Sequence, residues 1–456
     1  MLVLAIVVIF VFVACGNGDD NGNGDDVVED AGNGDEVIDD EDEDDNGEDD
    51  GDEVAGADGD AGEITVWAWD PNFNIRALDI AAEAFAGVNP NIQVNIVEMA
   101  QDDVISQLNT MLPSGSEVGL PNVVLIEDYR AQVFLRSFPG MFYPLDAYIN
   151  PSDFSPYKIP MTSLDGSQYA VPFDTGVSGF FVRVDVLEEA GFSVDDVTNI
   201  DWEELIAIAI EVRDETGVPM LTVDPSDLAI IRQMLQTAGL WYTHEDGLTP
   251  YIADNEGIAI AFDIFARLIN EGISVPVNDW GGFVGAFNAG DVWSVPTGNW
   301  ITASVMSAQE QSGDWAVVPF PRMPGMDAIN ATNLGGSSWY VVNIDGREAG
   351  AEFLAATFGS NVDFYVELLN EIGAMGTYMP AANAPEFDQE VEFFGGQRIF
   401  SDFAQWASEI PEVNFGLHTY AIEDILANAM QDFLGGDDIQ TVLDAAQSQA
   451  DSQLGQ

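Results

Sequence analysis

Apolar positions divide most of the chain into short segments whose spacing predicts alternating strands and helices. Residues 64–69 form a nearly continuous apolar run, which is typical of a parallel strand covered on both faces. Apolar residues then recur at helical spacing over residues 78–85 and alternate with polar ones over residues 92–96. An amphipathic segment at 104–111 and an apolar run at 122–126 follow. The pattern predicts a βαβαβ beginning and therefore an α/β fold class.

The same alternation continues toward the C-terminus. Further strands are predicted at residues 169–173, 179–182, 315–318 and 339–342, and further helices at 257–270 and 439–449. Two more helices are predicted to begin at Asp185 and Asp201, because each is followed three residues later by a glutamate that can complete a capping box. Gly191 predicts the end of the first of these two helices.

Residues 2–14 are an unbroken apolar run that ends at Cys15, the only cysteine in the sequence. The run is shorter than the roughly 20 residues of a membrane-spanning helix and fits the apolar core of a secretory signal. Phe12-Val13-Ala14-Cys15 resembles a bacterial lipobox, with Phe12 where leucine is usual. We therefore expect a signal peptide at residues 1–14 and a lipid anchor on Cys15. The alternative is a buried thiol on an apolar helix.

Acidic residues dominate the charge of the chain. The formal net charge is −69, which excludes partners that are strongly anionic, nucleic acid above all. Residues 16–62 contain 22 Asp and Glu and no Lys or Arg. Such a composition cannot offset the entropy lost on ordering, so we expect residues 15–62 to be a disordered linker behind the lipidated cysteine. The rest of the chain is acidic too, which indicates a surface adapted to high salt or alkaline surroundings.

Five segments carry a resemblance to a known family. They are the lipobox with its acidic linker, the strand beginning Ile64-Thr65-Val66-Trp67, the stretch Tyr169-Ala170-Val171-Pro172-Phe173-Asp174-Thr175-Gly176 with residues 181–192, the pair Phe287-Asn288-Ala289-Gly290-Asp291 and Gly298-Asn299-Trp300, and Gly335-Gly336-Ser337-Ser338-Trp339. In this order and spacing they resemble the family 1 extracellular solute-binding proteins, the maltose-binding-protein-like group. The resemblance covers most of residues 64–358.

The resemblance implies a periplasmic-binding-protein-like fold of type II, in which two α/β lobes flank a ligand cleft and close by a hinge motion. We expect lobe 1 at residues 63–173 and 320–373, lobe 2 at residues 174–319 and 374–456, and hinges at residues 173–176 and 318–321.

The resemblance also implies a role. The chain would be a monomeric, lipid-anchored receptor on the extracellular face of the cell membrane. It would capture a small molecule, a mono- or oligosaccharide, and deliver it to the transmembrane permease subunits of an ABC importer. We expect no cofactor, no metal and no catalysis, because closure over a ligand makes and breaks no bonds.

A sugar presents hydroxyl groups that need hydrogen-bond partners and C–H faces that pack on aromatic rings. We therefore expect indoles, carboxylates and amides to face a ligand where they stand at the carboxyl ends of parallel strands or beside glycines in loops. The ligand-binding candidates are Trp69, Asp70, Glu127, Asp128, Asp174, Trp280, Asn299, Trp300, Gly336, Ser337, Trp339 and Tyr378. Trp67 lies in the middle of a predicted strand and is expected in the core.

Three other functions remain open from the sequence. A secreted glycoside hydrolase would also need aromatic platforms, together with a pair of carboxylates about 5–9 Å apart. A binding protein for a small solute other than a sugar would share the fold. A metal-binding or adhesion lipoprotein would use the acidic linker instead of a cleft.

Overall fold

The computed structural model describes residues 62–454. Within that range the strands are β1 (Gly62–Ala68), β2 (Ile92–Glu98), β3 (Val123–Glu127), β4 (Ser163–Leu164), β5 (Ser167–Gln168), β6 (Ala170–Pro172), β7 (Ser178–Arg183), β8 (Leu221–Val223), β9 (Ser274–Pro276), β10 (Ser294–Gly298), β11 (Trp315–Pro319) and β12 (Ser337–Val341). The helices are α1 (Arg76–Ala86), α2 (Gln101–Met111), α3 (Asp128–Ser137), α4 (Ile159–Thr162), α5 (Val184–Glu189), α6 (Trp202–Thr216), α7 (Ala229–Thr237), α8 (Glu256–Asn270), α9 (Trp280–Ala289), α10 (Thr302–Met306), α11 (Arg347–Ala356), α12 (Val362–Ile372), α13 (Ile399–Ala407), α14 (Thr419–Leu434) and α15 (Ile439–Leu454).

A five-stranded sheet has the order β2-β1-β3-β12-β6. We call the chain from β1 to β6, together with β12, the first half. β1 runs parallel to β2 and β3, whereas β12 runs antiparallel to β3 and β6. Successive residues of these strands enter different hydrophobic clusters, as the side-chain alternation of a strand requires. Val66 and Leu125 pack on one face of the sheet, and Trp67 and Val124 pack on the other. Both faces are therefore covered, which explains the continuous apolar runs in the sequence.

A second, antiparallel sheet has the order β10-β7-β11. We call the chain from β7 to β11, together with α14 and α15, the second half. Phe181 of its central strand lies opposite Val295 and Val317, and all three belong to a cluster that also reaches the first sheet. Phe180, on the other face of the strand, enters a separate cluster with α6, α7 and α8. The chain passes from one sheet to the other between β6 and β7 and again between β11 and β12. These passages overlap the predicted hinges, and the lobe boundaries stay a prediction.

The predicted elements are largely confirmed. β1, α1, β2, α2 and β3 all occur in the expected order, and Trp67 is in the core. At the start of α6, Asp201 and Glu204 form the predicted capping box. The prediction at Asp185 is wrong, because α5 begins after Arg183 and Asp185 lies within its first turn. Asp185 instead accepts hydrogen bonds from the guanidinium of Arg183.

The predicted signal peptide, Cys15 and the acidic linker lie outside the described residues. Within residues 62–454, no helix is both long enough and apolar enough to cross a bilayer.

Candidate functional site

A cavity of about 770 Å³ lies between the carboxyl ends of β1 and β3 on one side and the segments following β8 and β10 on the other. We call it the cleft cavity. Its volume falls within the range of about 300–1,000 Å³ that is usual for small-molecule sites. Its wall consists of Trp69, Asp70, Pro71, Asn72, Phe73, Asn74, Ala100, Gln101, Glu127, Asp174, Asp227, Ala229, Arg232, Trp280, Trp300, Leu334, Gly335, Gly336 and Ser337.

Asp70 shapes the wall after β1. Its backbone has φ 61°, and its Oδ1 accepts hydrogen bonds from the backbone N–H groups of Asn72 at 3.0 Å and Phe73 at 3.3 Å. These bonds cap the single helical turn Pro71–Ile75, which brings the buried side chain of Asn74 to the cavity. Burial raises the pKa of Asp70, although the two hydrogen bonds act in the opposite direction.

Glu127 stands at the carboxyl end of β3, where its carboxylate accepts a hydrogen bond from the hydroxyl of Tyr420. Burial raises the pKa of Glu127, while the nearby Arg232 guanidinium, the Tyr420 hydroxyl and Arg130 lower it. Tyr420 belongs to α14, which packs in the cluster of the second half. The hydrogen bond therefore joins the two sides of the cleft.

Asp174 lies in the passage between β6 and β7. Its Oδ1 accepts hydrogen bonds from the backbone N–H of Ser337 at 2.6 Å and from the Ser337 hydroxyl at 2.5 Å. Asp174 is thereby held to the start of β12, and both residues line the cleft cavity. Neighbouring Gly336 has φ 91°, and a Cβ there would lie 2.7 Å from Asp128 Oδ2, so only glycine fits.

Two indoles face the cavity from the second half. The ring centroids of Trp280 and Trp300 are 5.7 Å apart. Trp300 is fixed by a hydrogen bond of 3.0 Å from its Nε1 to the Leu334 carbonyl, whereas Trp280 is 53% exposed. Trp280 opens α9, whose N-cap Asp279 accepts from Gly282 N. An exposed indole beside a fixed one offers a flat apolar surface for a ligand ring.

Four candidates do not reach the cleft cavity. Asp128 forms a buried ion pair with Lys158 and lines a different cavity of about 430 Å³. Asn299 is buried and its backbone N–H bonds to the Val177 carbonyl at 2.7 Å.

Trp339 and Tyr378 are core residues. Trp339 is fully buried in the middle of β12, with its ring 5.1 Å from that of Phe358. Tyr378 stacks on Tyr365 at 5.5 Å and is 8% exposed. Their burial corrects the expectation that these two rings face a ligand.

The other eight candidates line the cleft cavity together: Trp69, Asp70, Glu127, Asp174, Trp280, Trp300, Gly336 and Ser337. The sequence reasoning missed Asn74, Gln101, Asp227 and Arg232. Arg232 did leave a signal, since it is one of only 11 basic residues and stands in the apolar helix α7.

The wall combines three indoles, three amide side chains, one hydroxyl, four carboxylates and one guanidinium. These groups suit a neutral ligand that is rich in hydroxyls and has apolar faces. A smaller cavity of about 300 Å³ adjoins this one, and the two share Asp227, Ala229, Trp280, Trp300 and Leu334.

Comparison with known proteins places the chain in a family. Residues 81–378 match the model of the bacterial extracellular solute-binding proteins. A lactose-binding protein of Rhizobium radiobacter is 39% identical over 86% of this chain and 93% of its own length. An arabinooligosaccharide-binding protein of Halalkalibacterium halodurans is 23% identical over 82% of this chain and 81% of its own length.

Solved structures show the same fold at lower sequence identity. The GacH receptor of Streptomyces glaucescens has a TM-score of 0.72 at 19% identity, covering 86% of this chain and 98% of that one. An ABC transporter-associated binding protein of B. animalis subsp. lactis has a TM-score of 0.71 at 22% identity, covering 86% and 97%. These likenesses confirm the periplasmic-binding-protein-like fold with two α/β lobes and a cleft. The chain belongs to the bacterial extracellular solute-binding proteins, of the family 1 type that the sequence predicted.

Proposed function

We propose that this protein is the sugar-binding receptor of an ABC importer. It binds a neutral disaccharide such as lactose and acts without catalysis. Binding in the cleft would draw the two lobes together, because a ligand held from both sides favours the closed state by its differential affinity. The closed receptor would then dock on the transmembrane subunits of the permease and release the sugar to them.

The composition of the cleft cavity carries this proposal. Trp69 and Glu127 come from the first half, and Trp280 and Trp300 come from the second. A sugar in the cavity would thus meet rings and hydrogen-bonding groups from both sides. The 39% identity to a lactose-binding protein over almost its whole length supports a β-galactoside as the first ligand to test.

The anchor and oligomeric state belong to the same proposal. Cys15 would carry the lipid, the acidic residues behind it would hold the receptor off the membrane, and the receptor would act as a monomer on the extracellular side. Replacing Cys15 by Ser should release the protein from the membrane fraction into the medium. Retention of the variant in that fraction would contradict the anchor and leave the sugar receptor unaffected.

A thermal-shift screen of the purified protein tests the ligand. Lactose, maltose and arabino-oligosaccharides would be compared with a short peptide and a polyamine as controls. A ligand at 100 times its Kd stabilises the native state by about 2.7 kcal/mol, which raises Tm by several degrees. We expect a shift with at least one sugar and none with the controls.

Two results would overturn the proposal. Stabilisation by the peptide or the polyamine, without response to any sugar, would move the protein to another substrate class within the same fold. Release of free galactose from lactose during incubation would indicate a hydrolase.

A further inference from the structure

Two buried polar atoms in the wall of the cleft cavity have no hydrogen-bond partner anywhere in residues 62–454. They are Oδ1 of Asn74 and Nε of Arg232. Asn74 is 4% exposed and Arg232 is 5% exposed, and both line the cavity. Asn74 follows β1 in the first half, whereas Arg232 lies on α7 in the second. The two atoms therefore belong to opposite sides of the cleft.

Such atoms are uncommon in folded proteins. A buried donor or acceptor that finds no partner costs about 1–3 kcal/mol, and most native structures avoid it. When the atom belongs to a ligand cavity, a ligand that supplies the missing partner recovers that cost on binding. Asn74 Oδ1 is an acceptor and needs a donor, whereas Arg232 Nε–H is a donor and needs an acceptor.

The guanidinium of Arg232 is already paired with an acidic side chain. Its Nη1 donates to Oε2 of Glu423, and the other oxygen of Glu423 accepts from the Tyr242 hydroxyl at 2.8 Å. The guanidinium also lies over the ring of Tyr129, 4.8 Å from its centroid. These contacts fix the plane of the guanidinium. They leave Nε–H as a directed donor of hydrogen bonds rather than a free positive charge.

The rest of the wall disfavours a negatively charged ligand. Asp70, Glu127, Asp174 and Asp227 all line the cavity, against the one guanidinium of Arg232. A carboxylate on the ligand would lose its hydration and enter a wall with four acidic side chains and a single cation that is already paired. A hydroxyl group can both donate and accept, so it serves either atom without a net charge.

We propose that Asn74 and Arg232 are specificity-determining residues that hydrogen bond to an uncharged sugar from opposite sides of the cleft, and that the site rejects the corresponding sugar acids. Asn74 Oδ1 accepts from a sugar hydroxyl, and Arg232 Nε donates to a sugar oxygen. This inference rests on the proposed function and names the two residues that select its uncharged ligand.

Calorimetric titration with lactose, lactobionic acid and lactitol tests the proposal. In lactobionic acid the glucose unit is opened and carries a carboxylate, and lactitol is the uncharged open-chain counterpart. The variants are Asn74→Ala, which removes the acceptor, and Arg232→Lys, which keeps a positive charge beside Glu423 and removes the fixed Nε–H. Asn288→Ala is the matched control, because Asn288 Oδ1 is likewise buried without a partner but does not line the cavity.

We expect each cavity variant to bind lactose about tenfold more weakly or worse, and the control to stay within about threefold of the wild type. Lactobionic acid should bind the wild type at least about tenfold more weakly than both lactose and lactitol. Unchanged lactose affinity in both cavity variants, with melting curves that show a folded protein, would overturn the inference and leave the sugar receptor standing. Equal binding of lactose and lactobionic acid would also overturn it, even if a variant fails to fold. If the wild type binds no sugar, the proposed function and this inference fall together.

Discussion

Glu127 and Asp128 are adjacent in the sequence, yet their carboxylates line different cavities. Glu127 is the last residue of β3 and faces the cleft, whereas Asp128 begins α3 and faces Lys158 on the other side. Lys158 also donates to the carbonyls of Asp174 at 2.9 Å and Ser337 at 3.0 Å. The only lysine in the sequence therefore ties α3, the passage after β6 and the start of β12 into one buried point.

We predict that Lys158→Met destabilises the protein by about 3–5 kcal/mol, because it leaves the buried Asp128 carboxylate without its cation. Burial already raises the pKa of Asp128 to about 6 in the presence of Lys158. Protonation of Asp128 removes the unpaired charge in the variant. The loss of stability should therefore be smaller at pH 5 than at pH 8. Urea unfolding at both pH values measures this.

Arg398→Met is the control for that experiment. Arg398 pairs with Asp388 on the surface, where both side chains are about half exposed or more. Exposed ion pairs contribute little to stability. Arg398→Met should therefore lower the free energy of unfolding by only a small fraction of the loss in Lys158→Met. Equal losses in the two variants would show that burial of the pair does not govern its contribution.

A second prediction concerns Gly336, which separates the cleft cavity from the Asp128–Lys158 pair. Gly336→Ala should destabilise by about 3 kcal/mol or more, because its φ of 91° strains any other residue and the new Cβ meets Asp128 Oδ2 at 2.7 Å. Gly140→Ala is the control, since Gly140 has φ 82° but nothing within 4 Å of the added Cβ. It should lose only the backbone strain of about 1–2 kcal/mol. Similar losses at both positions, measured by urea unfolding, would contradict the clash.

The sequence indicated the part of the site that follows strands directly. Local periodicity is enough to locate the parallel strands, and parallel strands of one sheet end at the same edge. This identifies Trp69, Asp70 and Glu127 as neighbours. Arg232 could not be found in this way. Its place depends on Glu423, which is 191 residues further along the chain, and no short pattern encodes such a contact.

Trp339 shows where local sequence patterns fail to place a residue. Trp339 opens the strand predicted at residues 339–342 and directly follows two glycines and two serines, so the sequence places it at the border of a loop. β12 nevertheless begins at Ser337 and lies between β3 and β6, so the ring falls in the centre of the sheet. Strand order is a tertiary property, and the residues around Trp339 do not specify it.

Stability should depend on pH through Glu423. Burial raises the pKa of Glu423 from its usual 4.5 to about 7, against the lowering effect of Arg232. The folded protein therefore holds a proton on Glu423 at pH values where the unfolded chain has lost it. The stability that Glu423 contributes is fully present below about pH 4.5 and is lost as pH rises through about 7.

Glu423→Gln should remove this part of the pH dependence. The free energy of unfolding of the wild type, minus that of the variant, should fall between about pH 4.5 and 7 and stay level above that range. Glu215→Gln, on the exposed face of α6, is the control and should give a level difference throughout. A wild-type curve parallel to that of Glu423→Gln would refute the assignment.

The last prediction separates binding from packing among the indoles. Trp280→Ala should lower the affinity for a bound sugar about tenfold and change stability little, because the ring is 53% exposed and contacts mainly Trp300 and Phe283. Trp339→Ala should have the reverse profile. Its ring is fully buried, so its removal costs about 3–5 kcal/mol. Calorimetric titration and urea unfolding of both variants give the two quantities. If Trp280→Ala binds sugar as the wild type does while remaining folded, the exposed indole is no ligand platform, and Trp300 with Trp69 would be the remaining rings of the cleft.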